Sequence, residues 1–196
     1  MIHTISRFLC FLFYKIMFGI EAYGRKNIPK KGGFILASNH VSLLDPPALG
    51  VACPRKLNYM ARHDLFLNRF FSCWLHSVGA FPVKRDSADK SALKEAMKRV
   101  TNGGGLLLFP EGARQDVNNA MAGKPEPGVG FLAAKLNVPV IPAFVKGTDK
   151  ALPKGVKAPR PHKVSVYFGK EISIERRLPY QDISDEIMRN IRHLAC

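Results

Sequence analysis

Two short, uninterrupted apolar runs, each ending in a polar loop, constrain this chain more than any other feature. Residues 33–38 (GFILAS) run straight into Asn39-His40, and residues 106–109 (LLLF) into Pro110-Glu111-Gly112. Runs of this length without alternation read as strands buried on both faces, the mark of a sheet covered by helices on either side. Further strands are expected at residues 20–24, 56–61, 79–83, 139–145 and 163–168. Helical segments separate them: residues 2–18, a helix following Asp45-Pro46-Pro47, then 64–77, 87–100, 130–136 and 180–194. In the fourth of these, Ser87 is a plausible N-cap, and Ala88, Ala92, Leu93, Ala96, Met97 and Val100 recur at helical spacing. In the last, Ile183, Ile187, Ile191 and Leu194 do the same. Strands alternating with helices predict an α/β fold with a mostly parallel central sheet flanked by helices. In such sheets functional groups gather beyond the carboxyl ends of strands.

A chain of 196 residues suits one domain with a sizeable core. Its net charge of +15 points to an anionic partner: nucleic acid, an anionic membrane surface or a phosphorylated small molecule. Helix-turn-helix, zinc-finger and RNA-recognition signatures are missing from the sequence, so nucleic acid is not the expected partner. Residues 128–133 (GVGFLA) match a dinucleotide fingerprint only nominally, because a Lys-Pro-Glu-Pro loop precedes them instead of a strand. Cys10, Cys53, Cys73 and Cys196 are widely spaced and are expected as free thiols.

Residues 8–20 (FLCFLFYKIMFGI) are apolar and aromatic, with Arg7 before them and Lys15 inside them. A spanning helix needs roughly 20 apolar residues. This shorter run is expected to form a helix lying in a membrane interface, with its basic side chains snorkelling to headgroups. The division expected is a membrane-associating helix over 1–19 and a single domain over 20–196. A second aromatic group, Phe66, Phe70, Phe71, Trp74 and Leu75, has two readings, tunnel lining or core, and core is the expectation.

His40 stands directly after a buried strand, and Asp45 lies five positions on. On a continuous helix that spacing puts the two about 140° apart. A turn between them instead returns the carboxylate to the ring. An Asp bonded to Nδ1–H fixes the tautomer and leaves Nε2 as a general base. The competing reading makes Asp45 a helix cap ahead of Pro46-Pro47. No G-x-S-x-G accompanies the pair, so a base of this kind suits direct activation of a substrate hydroxyl. In residues 109–114 (FPEGAR), Gly112 allows close backbone approach, Arg114 suits a phosphate, and Glu111 either orients a hydroxyl or pairs with a cation. Lys84 and Arg85 give a second basic contact after another strand.

Taken together, these elements resemble the glycerolipid acyltransferases of the 1-acylglycerol-3-phosphate acyltransferase type. The H-x4-D core stands as His40 to Asp45 within Asn39-His40-Val41-Ser42-Leu43-Leu44-Asp45. The second motif stands as Gly79-Ala80-Phe81-Pro82-Val83-Lys84-Arg85, the third as Phe109-Pro110-Glu111-Gly112-Ala113-Arg114, and the fourth as Val138-Pro139-Val140-Ile141-Pro142. Ala113 stands where the family usually has Thr or Ser, and Pro82-Val83-Lys84 where an isoleucine-aspartate pair is common.

The resemblance implies a glycerol-phosphate-acyltransferase-like fold and transfer of an acyl group to the sn-2 hydroxyl of 1-acylglycerol-3-phosphate, giving phosphatidic acid. It implies His40 and Asp45 as catalytic residues, with Lys84, Arg85, Glu111, Gly112 and Arg114 binding the acceptor. No cofactor or metal is expected; acyl-CoA or acyl carrier protein enters as the donor substrate. The expected partners are an anionic membrane surface and a lysophospholipid. The expected location is peripheral or monotopic, on the cytoplasmic face of the cell membrane. The two departures, both in acceptor motifs, keep a different lysolipid acceptor as the alternative, and the charge keeps a nonenzymatic basic binding protein as the remote one.

Overall fold

A computed structural model of the chain describes residues 2–84, 89–115 and 123–195. In chain order its elements are α1 (Ile2–Phe18), β1 (Glu21–Tyr23), β2 (Phe34–Ser38), α2 (Asp45–Ala52), β3 (Leu57–Arg62), α3 (Arg69–Ser77), β4 (Ala80–Val83), α4 (Lys90–Thr101), β5 (Gly105–Leu108), α5 (Pro127–Leu136), β6 (Val140–Lys146), α6 (Thr148–Ala151), β7 (Ser165–Phe168) and α7 (Tyr180–His193). The strands form one seven-stranded sheet in the order β1-β7-β6-β2-β5-β3-β4. All pairings are parallel except β6 with β7. The predicted α/β fold with a mostly parallel, helix-flanked sheet is therefore the fold observed.

The uninterrupted runs are explained by their place. β2 lies between β5 and β6, and all five of its residues are buried. Phe34 and Leu36 enter a core shared with α1 and α2, whereas Ile35 and Ala37 enter the opposite core, shared with α4, α5 and α7. In α7 the predicted Ile183, Ile187 and Ile191 all face this second core. One face of α1 is also core: Tyr14 and Phe18 are each 1% exposed. Burial of two such side chains contributes about 2 kcal/mol each. Its other face is bare, with Phe8 62% and Ile16 73% exposed. Among the described residues no helix is long and apolar enough to cross a membrane.

Local chemistry moved several boundaries. The helix expected over 64–77 is broken: a 3-10 turn over His63–Phe66 comes first, and then Asn68 caps α3 by accepting from the N–H groups of Phe70 and Phe71. The expectation that this aromatic segment is core is wrong. Phe70 is 87% and Leu67 81% exposed, Phe71 and Trp74 are also exposed, and only Leu75 is buried. Helical spacing detects a shared face but not what covers it. α4 is capped by Asp89, which accepts from the N–H groups of Ser91 and Ala92, so Ser87 is not its cap; Ser87 and Ala88 lie outside the described residues. α5 starts three residues earlier than expected because Pro127 suits a first helical turn. The short α6 had no sequence signal.

The glycine of the discarded fingerprint has a packing role. Where α5 crosses α7, a Cβ on Gly130 would lie 1.9 Å from the Tyr180 carbonyl oxygen. Ser184 fastens the crossing, donating to the Glu126 carbonyl and accepting from the Gly130 N–H, both at 2.9 Å. Gly130→Ala is expected to destabilise the fold by about 1–3 kcal/mol, as overpacking does. Calorimetry measures this directly, and an unchanged unfolding midpoint would refute the close-approach account.

Candidate active site

β2 and β5 are parallel neighbours with Ala37 opposite Leu108, so the loops that leave them emerge together. His40 follows β2 by two residues, and Phe109-Pro110-Glu111 follows β5. Between His40 and α2 the chain turns back on itself, and Asp45 is the first residue of the helix, not its cap. Its Oδ2 accepts three hydrogen bonds: from the N–H groups of Val41 and Ser42, each at 2.7 Å, and from His40 Nδ1 at 2.9 Å. The turn, not the helix, thus brings the pair together. A carboxylate only accepts, so Nδ1 carries the hydrogen and Nε2 presents a lone pair. Among the described residues no side chain bonds to Nε2, and His40 keeps 7% exposure.

The His40 backbone is held on both sides. Its N–H donates to Glu111 Oε2 at 2.7 Å, and its carbonyl accepts from the Gln115 N–H at 2.9 Å. The Phe109 ring stacks on the imidazole with centroids 4.0 Å apart. On the β6 side, the Asn39 side chain donates to the Val145 carbonyl and accepts from its N–H, continuing the sheet ladder past the end of β2. Asn39 and Phe109 were quoted in the motifs but not singled out as site residues. Their signal was position alone: each is the first residue after a buried strand.

Glu111 is buried, and its Oε1 has no partner among the described residues. Burial pushes its carboxyl up to about 8; the His40 N–H opposes this, the Asp45 charge adds to it, and Arg192 opposes it. The Phe109–Gly112 turn that carries it closes with the Gly112 N–H on the Phe109 carbonyl at 3.0 Å. Gly112 has φ +68°, a left-handed conformation that favours glycine, and a Cβ there would lie 3.0 Å from the Glu126 side chain.

The basic candidates sit apart. Arg114 is half-buried beside Gln115, next to the His40 carbonyl, and no partner for it is found among the described residues. Lys84 is exposed at the end of β4. β4 is three strands from β2, about 14 Å across the sheet. Arg85 lies outside the described residues.

A family model described as Acyltransferase matches residues 19–146. The chain belongs to the acyltransferase family. It is 30% identical over 66% of its length to the 1-acyl-sn-glycerol-3-phosphate acyltransferase of Bacillus subtilis, covering 63% of that protein. It is 28% identical over 80% of its length to the enzyme of the same name from Streptococcus pneumoniae, covering 56% of it. The chain thus spans about three fifths of the length of these curated relatives. Among solved structures it resembles the 1-acyl-sn-glycerophosphate (LPA) acyltransferase PlsC of Thermotoga maritima, with a TM-score of 0.73 and 25% identity, over 99% of this chain and 81% of that one. All four motifs of the acyltransferase resemblance lie inside the matched span.

A raised carboxyl has a stability signature in this chain. Folding favours the protonated form of Glu111, so its contribution is fully present below the ordinary carboxylate value and is lost as pH rises through about 8. Glu111→Gln keeps an acceptor for the His40 N–H and has no proton to lose. Its unfolding temperature is expected to fall less between pH 5 and pH 9 than that of the unsubstituted protein. Parallel profiles would show that the Glu111 carboxyl is not perturbed.

Proposed function

We propose that this chain transfers an acyl group from an acyl thioester to the free sn-2 hydroxyl of 1-acylglycerol-3-phosphate, giving phosphatidic acid. The observation that carries the reading is His40 with Nδ1 held by Asp45 and Nε2 without a partner among the described residues. Nε2 removes the hydroxyl proton as the acceptor oxygen attacks the thioester carbonyl. The tetrahedral intermediate then collapses, the C–S bond breaks, and the departing thiolate takes the proton from the imidazolium. Asp45 fixes the ring and stabilises its charged form without itself taking the proton. Both acyl-CoA and acyl carrier protein present such a thioester as substrate, and the reaction needs no resident cofactor. Arg114 and Arg85 are assigned to the acceptor phosphate, with Lys84 the weaker candidate. Glu111 Oε1 and the bare backbone at Gly112 face the glycerol.

An apolar cavity of about 350 Å³ supports the acyl half of the reading. Leu43 of the catalytic loop, Gly50 of α2, Tyr59 of β3, Leu75 of α3 and Cys10 of α1 line it. The helices that line it, α1 and α3, also offer solvent an apolar surface, with Phe8, Ile16 and Phe70 exposed. That surface docks on an anionic bilayer, which makes the protein peripheral or monotopic on the cytoplasmic face of the cell membrane. Truncating α1 would also strip Tyr14 and Phe18 from the core, so single substitutions on its outer face test docking more cleanly.

His40→Ala is expected to abolish acyl transfer in a protein that still folds, measured by circular dichroism and by phosphatidic acid formation; retained turnover would sink the mechanism. In a donor-by-acceptor panel, 1-acylglycerol-3-phosphate is expected to be acylated. Turnover only with another lysolipid would replace the acceptor, a result made credible by Ala113, which brings no hydroxyl to the third motif. Paired Phe8→Glu and Ile16→Glu substitutions are expected to move the protein out of the vesicle pellet, and undiminished pelleting would place the docking surface elsewhere.

A further inference from the structure

α1 has a second connection, to the catalytic loop. Tyr14 Oη donates to the Leu44 carbonyl at 2.8 Å, and Arg7 donates to the Cys53 carbonyl at 2.5 Å. Leu44 is the N-cap of α2 and Cys53 its C-cap, so α1 fastens both ends of the helix whose first residue is Asp45. The Leu44 carbonyl also accepts the first intrahelical bond of α2, from the Ala48 N–H at 3.0 Å. Tyr14 therefore holds the peptide unit that joins Leu44 to Asp45, one residue from the carboxylate that accepts from His40. Tyr14 is 1% exposed, and burial pushes its hydroxyl far above the ordinary range, so it stays a donor. The opposite face of the same helix carries the exposed Phe8, Leu12 and Ile16. α1 is also tied to α3 by the Trp74 indole N–H on Ser6 Oγ at 3.2 Å.

We propose that Tyr14 is a positioning residue for Asp45, and that it couples docking of α1 on a lipid bilayer to the geometry of the His40–Asp45 pair. The proposal rests on the reading of the outer face of α1 as the bilayer surface. Docking fixes α1 from outside; the Tyr14 hydroxyl carries that restraint to Leu44, and the loop from His40 to Asp45 tightens. The turn itself reports on this, because the Val41 and Ser42 N–H groups bond to the same Asp45 oxygen that His40 uses.

The test is hydrogen exchange of residues 40–52 in the full chain, with and without vesicles of mixed zwitterionic and anionic phospholipid. In the unsubstituted protein the vesicles are expected to slow exchange at Val41 and Ser42. In Tyr14→Phe, which keeps the ring and loses only the hydroxyl, vesicle binding is expected to persist and the slowing to vanish. On acceptor presented in the same vesicles, Tyr14→Phe is expected to lose about tenfold in kcat, the scale of one hydrogen bond, with KM unchanged. On a short-chain dispersed acceptor, with α1 undocked, the loss in kcat is expected to be smaller, and an equal loss would overturn the coupling. Arg7→Gln cuts the other tether and serves if Tyr14→Phe fails to fold; it is expected to weaken the same slowing. Equal slowing in the unsubstituted and variant proteins would overturn the coupling, as would vesicles that bind and slow nothing. Because exchange is read without turnover, an absence of acyl transfer would overturn the proposed reaction and leave this result standing.

Discussion

One oxygen atom organises the site. Asp45 Oδ2 closes the turn through Val41 and Ser42, fixes the His40 tautomer, and belongs to the first residue of α2. Three donors converging on one carboxylate oxygen fix its position from three sides. The turn and the base are therefore one structure: the conformation that satisfies the two backbone N–H groups is also the one that aims the carboxylate at Nδ1.

The sheet turns this local arrangement into a cleft. Parallel pairing of β2 with β5 puts two loops side by side although 71 residues separate His40 from Glu111. Asn39 on one flank and Gln115 on the other extend hydrogen bonding past the last sheet residues, so His40 sits beyond the strand end but is held almost as firmly as a strand residue. Rigid positioning of this kind matters because small displacements of a catalytic group weaken proton transfer steeply.

What the sequence disclosed follows the reach of each signal. Uninterrupted apolar runs located β2 and β5, because a strand buried on both faces has no room for polar side chains. The five-residue spacing of His40 and Asp45 left helix and turn as equal geometric options; only the two backbone donors decide between them, and backbone donors leave no trace in side-chain pattern. The aromatic segment around Phe70 was misread because periodicity reports a face, and an exposed apolar face has the same spacing as a face destined for core. The bond from Tyr14 to Leu44 spans 30 residues and uses a main-chain acceptor, so nothing in either residue type announces it.

Two carboxylates flank one histidine, and their surroundings push them to different tasks. Asp45 meets three donors, whereas Glu111 meets a single backbone N–H, with burial holding it toward the neutral form below about 8. Two ionised carboxylates this close would repel each other, and the Asp45 charge is one of the causes that raise Glu111. A neutral Glu111 removes that cost and can still accept from the His40 N–H. It also gains an O–H donor, which a carboxylate lacks, at an oxygen with no partner among the described residues. The environment thus divides the labour: one acid holds the imidazole and the turn, and the other holds the His40 backbone without adding a second charge.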